Sequence, residues 1–224
     1  MLFAYPQAAK FGRVIPKNKI YEHAAARVAL KEQFVAEVEK ITWAYKLAPE
    51  TINLGGCEAV PEIQVFQVKQ RGDRLSEDVL RAIDRAIPFP ILFELVSDAK
   101  RRTVAAFKRP NEGGKSKWVV SDYFWSDWQE DGDERASLPI ALDLSGLYDK
   151  ILSILMPVTP MLEEDIQARV ERVEAIRAKE NEVTRIKKRL AKEKQFNRRV
   201  EINKTLRAAQ QELAAMRSNA AIEV

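Results

Sequence analysis

Cys57 is the only cysteine of this 224-residue chain, and His23 is its only histidine. A lone cysteine excludes an internal disulfide and a thiolate metal cluster within one chain, and it fits a reducing compartment. Cys57 follows Gly55-Gly56 and reads as a small buried residue beside a loop. Any nucleophilic triad with imidazole as its base would depend on His23, and no nucleophile stands near it in sequence; a helix-start or surface role is the simpler reading. Long apolar runs are missing as well. The stretches 87–96 and 147–158 are broken by proline, glutamate or lysine and are too short for a bilayer. Residues 1–10 lack the basic start and apolar stretch of a signal peptide. These absences predict a cytoplasmic protein without membrane contact.

The composition is that of a folded protein, with 46% hydrophobic and 31% charged residues. A core closes within roughly 100 to 200 residues, so one domain plus an appendage is expected. The formal net charge is only +4, and the first 160 residues nearly balance. The excess lies near the C-terminus, most densely over 185–199.

Val28, Lys31, Phe34, Val38, Ile41 and Tyr45 recur at steps of three and four, which predicts a helix over 22–47 stopped by Pro49. Residues 62–69 alternate well enough for a strand. A helix starts after Ser76, with Glu77 and Asp78 in its first turn, and ends at Pro88. The nearly continuous apolar run 90–96 predicts a central strand covered on both faces. Strands over 103–108 and 118–121, joined by a turn at 110–114, come next, followed by a short helix over 144–155. Pro157 and Pro160 mark a boundary, giving a globular domain over 1–158 and a basic arm over 159–224. The arm carries a narrow apolar stripe that changes phase near 194–197, which favours two helices folded back on each other over a single rod. The expected fold class is therefore α+β, a mixed or antiparallel sheet of about four strands with packed helices, plus a C-terminal helical hairpin or coiled coil.

Four groups of side chains could carry chemistry. Gly114-Lys115-Ser116 resembles the end of a phosphate-binding loop, but Arg109 stands where the pattern needs glycine and the context is a turn. Glu62, Asp84, Glu94 and Lys108 lie near strands and could hold a divalent cation and activate water, as in a divergent metal-dependent nuclease. The acid-x-lysine spacing of such nucleases is absent, and ion pairing gives the same residues. No metal or cofactor is assigned. Trp118, Tyr123, Phe124, Trp125 and Trp128 fit core packing, with a protein contact as the functional alternative; Asp122 and Asp127 argue against nucleic acid there. Arg185, Lys187, Lys188, Arg189, Lys192, Lys194, Arg198 and Arg199 could neutralise phosphates without reading sequence. A solvated coiled-coil surface would have the same composition.

A set of segments in fixed order adds a resemblance: Ile15-Pro16-Lys17; Ile41-Thr42-Trp43; Thr51-Ile52-Asn53-Leu54; Glu62-Ile63-Gln64-Val65-Phe66; Ile87-Pro88-Phe89-Pro90 with Ile91-Leu92-Phe93-Glu94; and Gln195-Phe196-Asn197-Arg198-Arg199-Val200-Glu201-Ile202-Asn203. Over nearly its whole length the chain resembles a bacterial family defined as domain of unknown function 4391. The resemblance implies no catalytic residue. It implies a gene neighbourhood of helicases and DNA methyltransferases in restriction or phage-defence-like loci, and hence a helicase or methyltransferase as protein partner. The expectation is a non-catalytic accessory or assembly subunit that docks such an enzyme and contacts DNA through the basic arm. The alternatives are the metal-dependent nuclease and a coiled-coil homo-oligomer unrelated to DNA.

Overall fold

The computed structural model describes residues 1–111 and 118–219. The turn at 110–114 and Gly114-Lys115-Ser116 lie wholly or mainly outside the described residues. The chain divides into two units, Met1–Leu155 and Met156–Val224. No helix among the described residues is long and apolar enough to cross a membrane.

In chain order the first unit contains β1 (Phe3–Ala4), β2 (Lys10–Val14), α1 (Lys17–His23), α2 (Val28–Glu37), β3 (Val38–Leu47), α3 (Pro49–Ile52), β4 (Ile63–Gln70), α4 (Glu77–Ala86), β5 (Ile91–Ser97), β6 (Lys100–Pro110), β7 (Trp118–Trp125), β8 (Gln129–Glu130), β9 (Ala136–Ser137) and α5 (Leu144–Leu155). The fold is α+β, as its sequence predicts, but among the described residues the main sheet has seven strands rather than about four. Six run in the order β2-β3-β4-β5-β6-β7, and β8 pairs with β6. Of the three strands beyond those four, β3 lies within the stretch that reads as a helix, β8 has two residues, and β2 is an edge strand with every residue exposed, so it has no alternation to read.

Among the described residues only β4 and β5 pair in parallel within this sheet, and α4 is the crossover that makes this possible. The Ser76 hydroxyl accepts from the Asp78 amide at 3.2 Å to cap α4, and Glu77 and Asp78 complement its positive end. β5 lies inside the sheet between β4 and β6, as its apolar run requires.

The helix predicted over 22–47 is a correction. α2 ends at Glu37 and the chain passes directly into β3. Two register shifts interrupt the pairing of β3 with β4, between Val38 and Lys40 and between Trp43 and Tyr45. Each inserts an extra residue and reverses the parity of the side chains that follow. The buried positions Val38, Ile41, Ala44 and Leu47 therefore fall at steps of three and imitate a helix face. Pro49 does not stop a helix but opens one, α3, where its missing amide costs nothing.

One face of the sheet is covered by α1, α2 and α4. Ile20, Phe34, Val79, Leu80 and Ile83 from these helices pack on Ile41, Phe66, Val68, Phe93, Leu95, Val104, Ala106 and Tyr123. The residues that alternate with them, Val65, Leu92, Ala105 and Phe124, are also buried. They belong to the second face, where α5 packs on β6 and β7.

The second unit contains α6 (Ile166–Lys192) and α7 (Phe196–Asn219). Asp165 caps α6 by accepting from the Ala168 amide at 2.7 Å. The two helices run antiparallel: Val183 packs with Leu206 and Ala209, flanked by Ile186, Leu190 and Leu213, and Lys179 pairs with Glu212 at 2.7 Å. The C-terminal arm is thus a helical pair that turns at residues 193–195.

Candidate functional site

Asp84 on α4 and Lys108 on β6 meet in the first face of the core, and both are almost wholly buried. The Lys108 ammonium lies 3.5 Å from Asp84 Oδ1 and donates to the main-chain carbonyls of Asp84 and Ile87. The Tyr123 hydroxyl donates to Asp84 Oδ2. Burial pushes the Asp84 carboxyl up and the Lys108 ammonium down from their ordinary values, while each partner's charge opposes the shift. Burial raises Tyr123 further beyond physiological pH, so it stays a neutral donor.

What this arrangement does is fasten a helix end. Carbonyls in the last turn of α4 need donors, and a lysine from the neighbouring strand supplies them. The same strand has a register shift between Ala106 and Lys108. There the Ser121 hydroxyl accepts from the Phe107 amide, the Tyr148 hydroxyl accepts from the Lys108 amide at 3.2 Å, and the Tyr148 hydroxyl donates to the Ala106 carbonyl. These hydrogen bonds hold α4 to β6 and β7, and α5 to β6.

Glu94 is placed elsewhere. It alternates with Phe93 and Leu95, which face α4, so its side chain lies on the second face of the sheet, away from Asp84. Fully buried, it is held by Arg135 in a two-pronged pair, Nη1 to Oε1 at 2.8 Å and Nη2 to Oε2 at 3.3 Å. Gln67 Nε2 donates to it at 3.0 Å, and Arg101 Nη1 stands 3.9 Å away. Arg135 also donates to the Phe3 carbonyl at 2.8 Å, tying the first strand to the sheet. Glu62, just before β4, pairs with Lys46 at 3.3 Å and accepts from Gln64. Of the four candidate residues for metal chemistry, only Asp84 and Lys108 come together. Among the described residues no three histidine, cysteine, aspartate or glutamate side chains are placed to hold a metal ion.

Tyr123 is fully buried and packs against Phe93 and Trp125, so it belongs to the core. Trp125 and Trp128 enclose the Arg102 guanidinium, 4.3 Å and 4.4 Å from their ring centres. Trp118 is half-buried, with Lys108 Nζ 5.9 Å from its ring centre. His23, the last residue of α1, is exposed and lines a cleft of about 510 Å³ with Asp84, Arg85, Trp118 and Val120. Cys57 is exposed rather than buried: its loop leaves the thiol in solvent.

Large apolar side chains at the surface were not anticipated. Ile140 and Leu142, on the loop between β9 and α5, are 91% and 97% exposed. The sequence signal was there: Leu138-Pro139-Ile140-Ala141-Leu142 alternates large apolar residues outside any regular element.

All eight basic candidates of the arm are exposed. Arg185, Lys187, Lys188, Arg189 and Lys192 occupy the last turns of α6, Lys194 lies in the turn, and Arg198 and Arg199 lie in the first turn of α7. The fold-back brings both limbs of the run to one end of the helical pair. The ion pairs between the helices, Lys179 with Glu212 and Arg217 with Glu180, lie further along, and among the described residues none of the eight is within ion-pair distance of an acid. Glu193 accepts from the Lys194 and Gln195 amides at 2.9 Å each and so closes the turn, and the charges of Arg198 and Arg189 also act on its carboxylate.

Together these features define an α+β protein whose buried ionisable groups hold its fold, joined to a helical pair with a cationic end. The chain belongs to the family described as Domain of unknown function (DUF4391), whose model matches residues 3–213. No curated protein and no solved structure matches it.

Proposed function

We propose that this protein is a non-catalytic accessory subunit of a bacterial DNA restriction-modification or phage-defence-like system, docking a helicase or DNA methyltransferase and contacting DNA through the end of its helical pair. The observation that carries the reading is the cationic end itself. Eight lysine and arginine side chains gathered around one turn, exposed and, among the described residues, beyond ion-pair distance of any acid, repel one another in the free protein. A polyanion relieves that repulsion and releases its own counterions in return. The contact is to phosphates, so it positions the protein without reading sequence. Ile140 and Leu142 support the docking half: two nearly fully exposed aliphatic side chains on one loop are suited to burial against another protein.

The test has two parts. Binding of the full chain to a DNA duplex is measured across a salt series, and affinity should fall linearly on a log-log plot, with a slope that becomes less steep when Arg198 and Arg199 are changed to glutamine. Salt-insensitive or undetectable binding would remove the DNA role. Tagged protein is then purified from its native host after nuclease treatment, and a helicase or methyltransferase should be recovered in stoichiometric amount. Recovery of the protein alone, or only of further copies of itself, overturns the accessory-subunit reading.

A further inference from the structure

The cationic end of the helical pair also presents an aromatic ring. Phe196, the first residue of α7, is 77% exposed, and Val200 on the same face one turn later is 54% exposed. The apolar seam between the helices is built from Val183, Ile186, Leu190, Leu206, Ala209 and Leu213, so Phe196 lies beyond its end and takes no part in it. Burying a phenylalanine ring is favourable, and here that gain is left unused by the fold. The chain neighbours of Phe196 are basic and exposed: Lys192 and Lys194 precede it and Arg198 and Arg199 follow it, with Gln195 and Asn197 on either side. The Glu193 carboxylate fixes the turn that delivers it.

We propose that this end of the molecule binds single-stranded or locally unpaired nucleic acid, with Phe196 stacking on an exposed base while Lys192, Lys194, Arg198 and Arg199 hold the flanking phosphates. The inference rests on the DNA-contact reading above and narrows it to a class of substrate. A flat apolar ring inside a cationic patch needs a partner that is anionic and also offers flat apolar faces, and unpaired bases on a phosphate backbone meet both needs. In an intact duplex the bases are already stacked on each other, and reaching them requires unstacking. A lipid surface would need a wider apolar face than one phenylalanine and one valine. Because stacking is indifferent to base identity, binding should tolerate any sequence.

The experiment compares fluorescence anisotropy of a labelled oligothymidylate and of a duplex of equal length, using the full chain. Three variants are taken at Phe196 (Phe196→Ala, Phe196→Leu and Phe196→Trp), with the double variant Arg198→Gln/Arg199→Gln as the charge control. The wild type should favour the single strand. Phe196→Ala and Phe196→Leu should each weaken single-strand binding by about five- to a hundredfold with the salt slope and duplex binding unchanged, and Phe196→Trp should retain it. The charge control should weaken both ligands and lower the slope. Single-strand affinity that is the same in wild type and Phe196→Ala overturns the stacking proposal; if the charge control still weakens the duplex, the DNA-contact reading stands without it. Failure of the wild type to bind either ligand overturns both, as does binding to phosphatidylglycerol vesicles in their place.

Discussion

The Lys108 ammonium is bonded to the main-chain carbonyl of Asp84 as well as facing its carboxylate, so a single strand residue closes the end of α4 and neutralises the charge buried there. A pair that would attract notice as acid and base is thereby explained as a fastener between helix and sheet.

Removing one half of that fastener should be costly. Lys108→Met keeps the length of the side chain but leaves a carboxylate without its cation and α4 without its cap, a change that costs about 3 to 5 kcal/mol in comparable buried pairs. Equilibrium urea unfolding should show the loss. The pH dependence has a definite sign. Asp84 is raised above 3.8 in the folded state, so the folded protein holds that proton more tightly than the unfolded chain. Its contribution favours folding at low pH and is lost as pH rises through the folded value. Lys108 is lowered from 10.5, so its contribution is present above that value and is lost as pH falls through the folded one. With the cation gone, Asp84 rises further, and the gap between variant and wild type should narrow as the solution is acidified. A gap that widens in acid would contradict this account.

Glu94 and Arg135 make the corresponding pair on the other face. Arg135→Ala leaves Glu94 with Arg101 and Gln67 alone and frees the Phe3 carbonyl, and a loss of about 3 kcal/mol or more is expected in the same unfolding experiment. Arg135→Lys should recover only part of it, because an ammonium cannot grip both carboxylate oxygens as the guanidinium fork does. Glu94→Ala should lose stability to the same degree with and without magnesium or manganese. Cation-dependent stabilisation of the wild type that vanishes in Glu94→Ala would instead restore a metal-binding role for this glutamate.

The limits of reading such a chain are physical. The interior strand β5, the capped start of α4 and all of α5 were legible because alternation, caps and prolines are local signals. β3 was not, because its two bulges give the buried residues the spacing of a helix. Glu94, inside an apolar run, announces that a cation must be nearby, yet Arg135 is 41 residues away and nothing local points to it. Lys108 was legible as unusual but not in its role, since what it caps is a backbone end set by the tertiary fold. The phase change near 194–197 favoured the fold-back of the arm over a single rod, but did not show that it would bring both limbs of the basic run to the end where Phe196 is exposed.

Ile140 and Leu142 offer a prediction in which stability and association part company. Both side chains are already in water, so Ile140→Ser/Leu142→Ser should change the unfolding free energy by less than about 0.5 kcal/mol per site. If the loop is the docking contact, the double variant should fail to recover the helicase or methyltransferase that the wild type recovers. A destabilised variant would mean that the loop packs on the protein itself, and undiminished recovery would place the contact elsewhere.

In the second unit, Glu164 should decide how the start of α6 responds to acid. Arg172 Nε lies 2.6 Å from its Oε1, Arg172 Nη2 lies 2.8 Å and Arg169 Nε 3.1 Å from its Oε2, and the Met161 amide donates to Oε2 at 3.1 Å. Arg172 also donates to the Thr159 carbonyl at 2.8 Å, so the group ties the segment before α6 to its first turns. The hydrogen bonds from Arg172, first among these contacts, hold the Glu164 carboxyl down at about 2, against an ordinary value of 4.5. Its side chain is only 8% exposed, so solvent screens the interaction little, and the shift corresponds to about 3 kcal/mol. Because the folded value is depressed, that contribution is complete above 4.5 and is lost as pH falls through about 2. Protection factors of the amides at 165–172, measured by hydrogen exchange and mass spectrometry with the intrinsic exchange rate at each pH divided out, should therefore fall steeply across that window in the wild type. Glu164→Gln should exchange faster already at neutral pH and show no such step, whereas equal protection in both proteins would mean that the ends of α6 are held by packing alone.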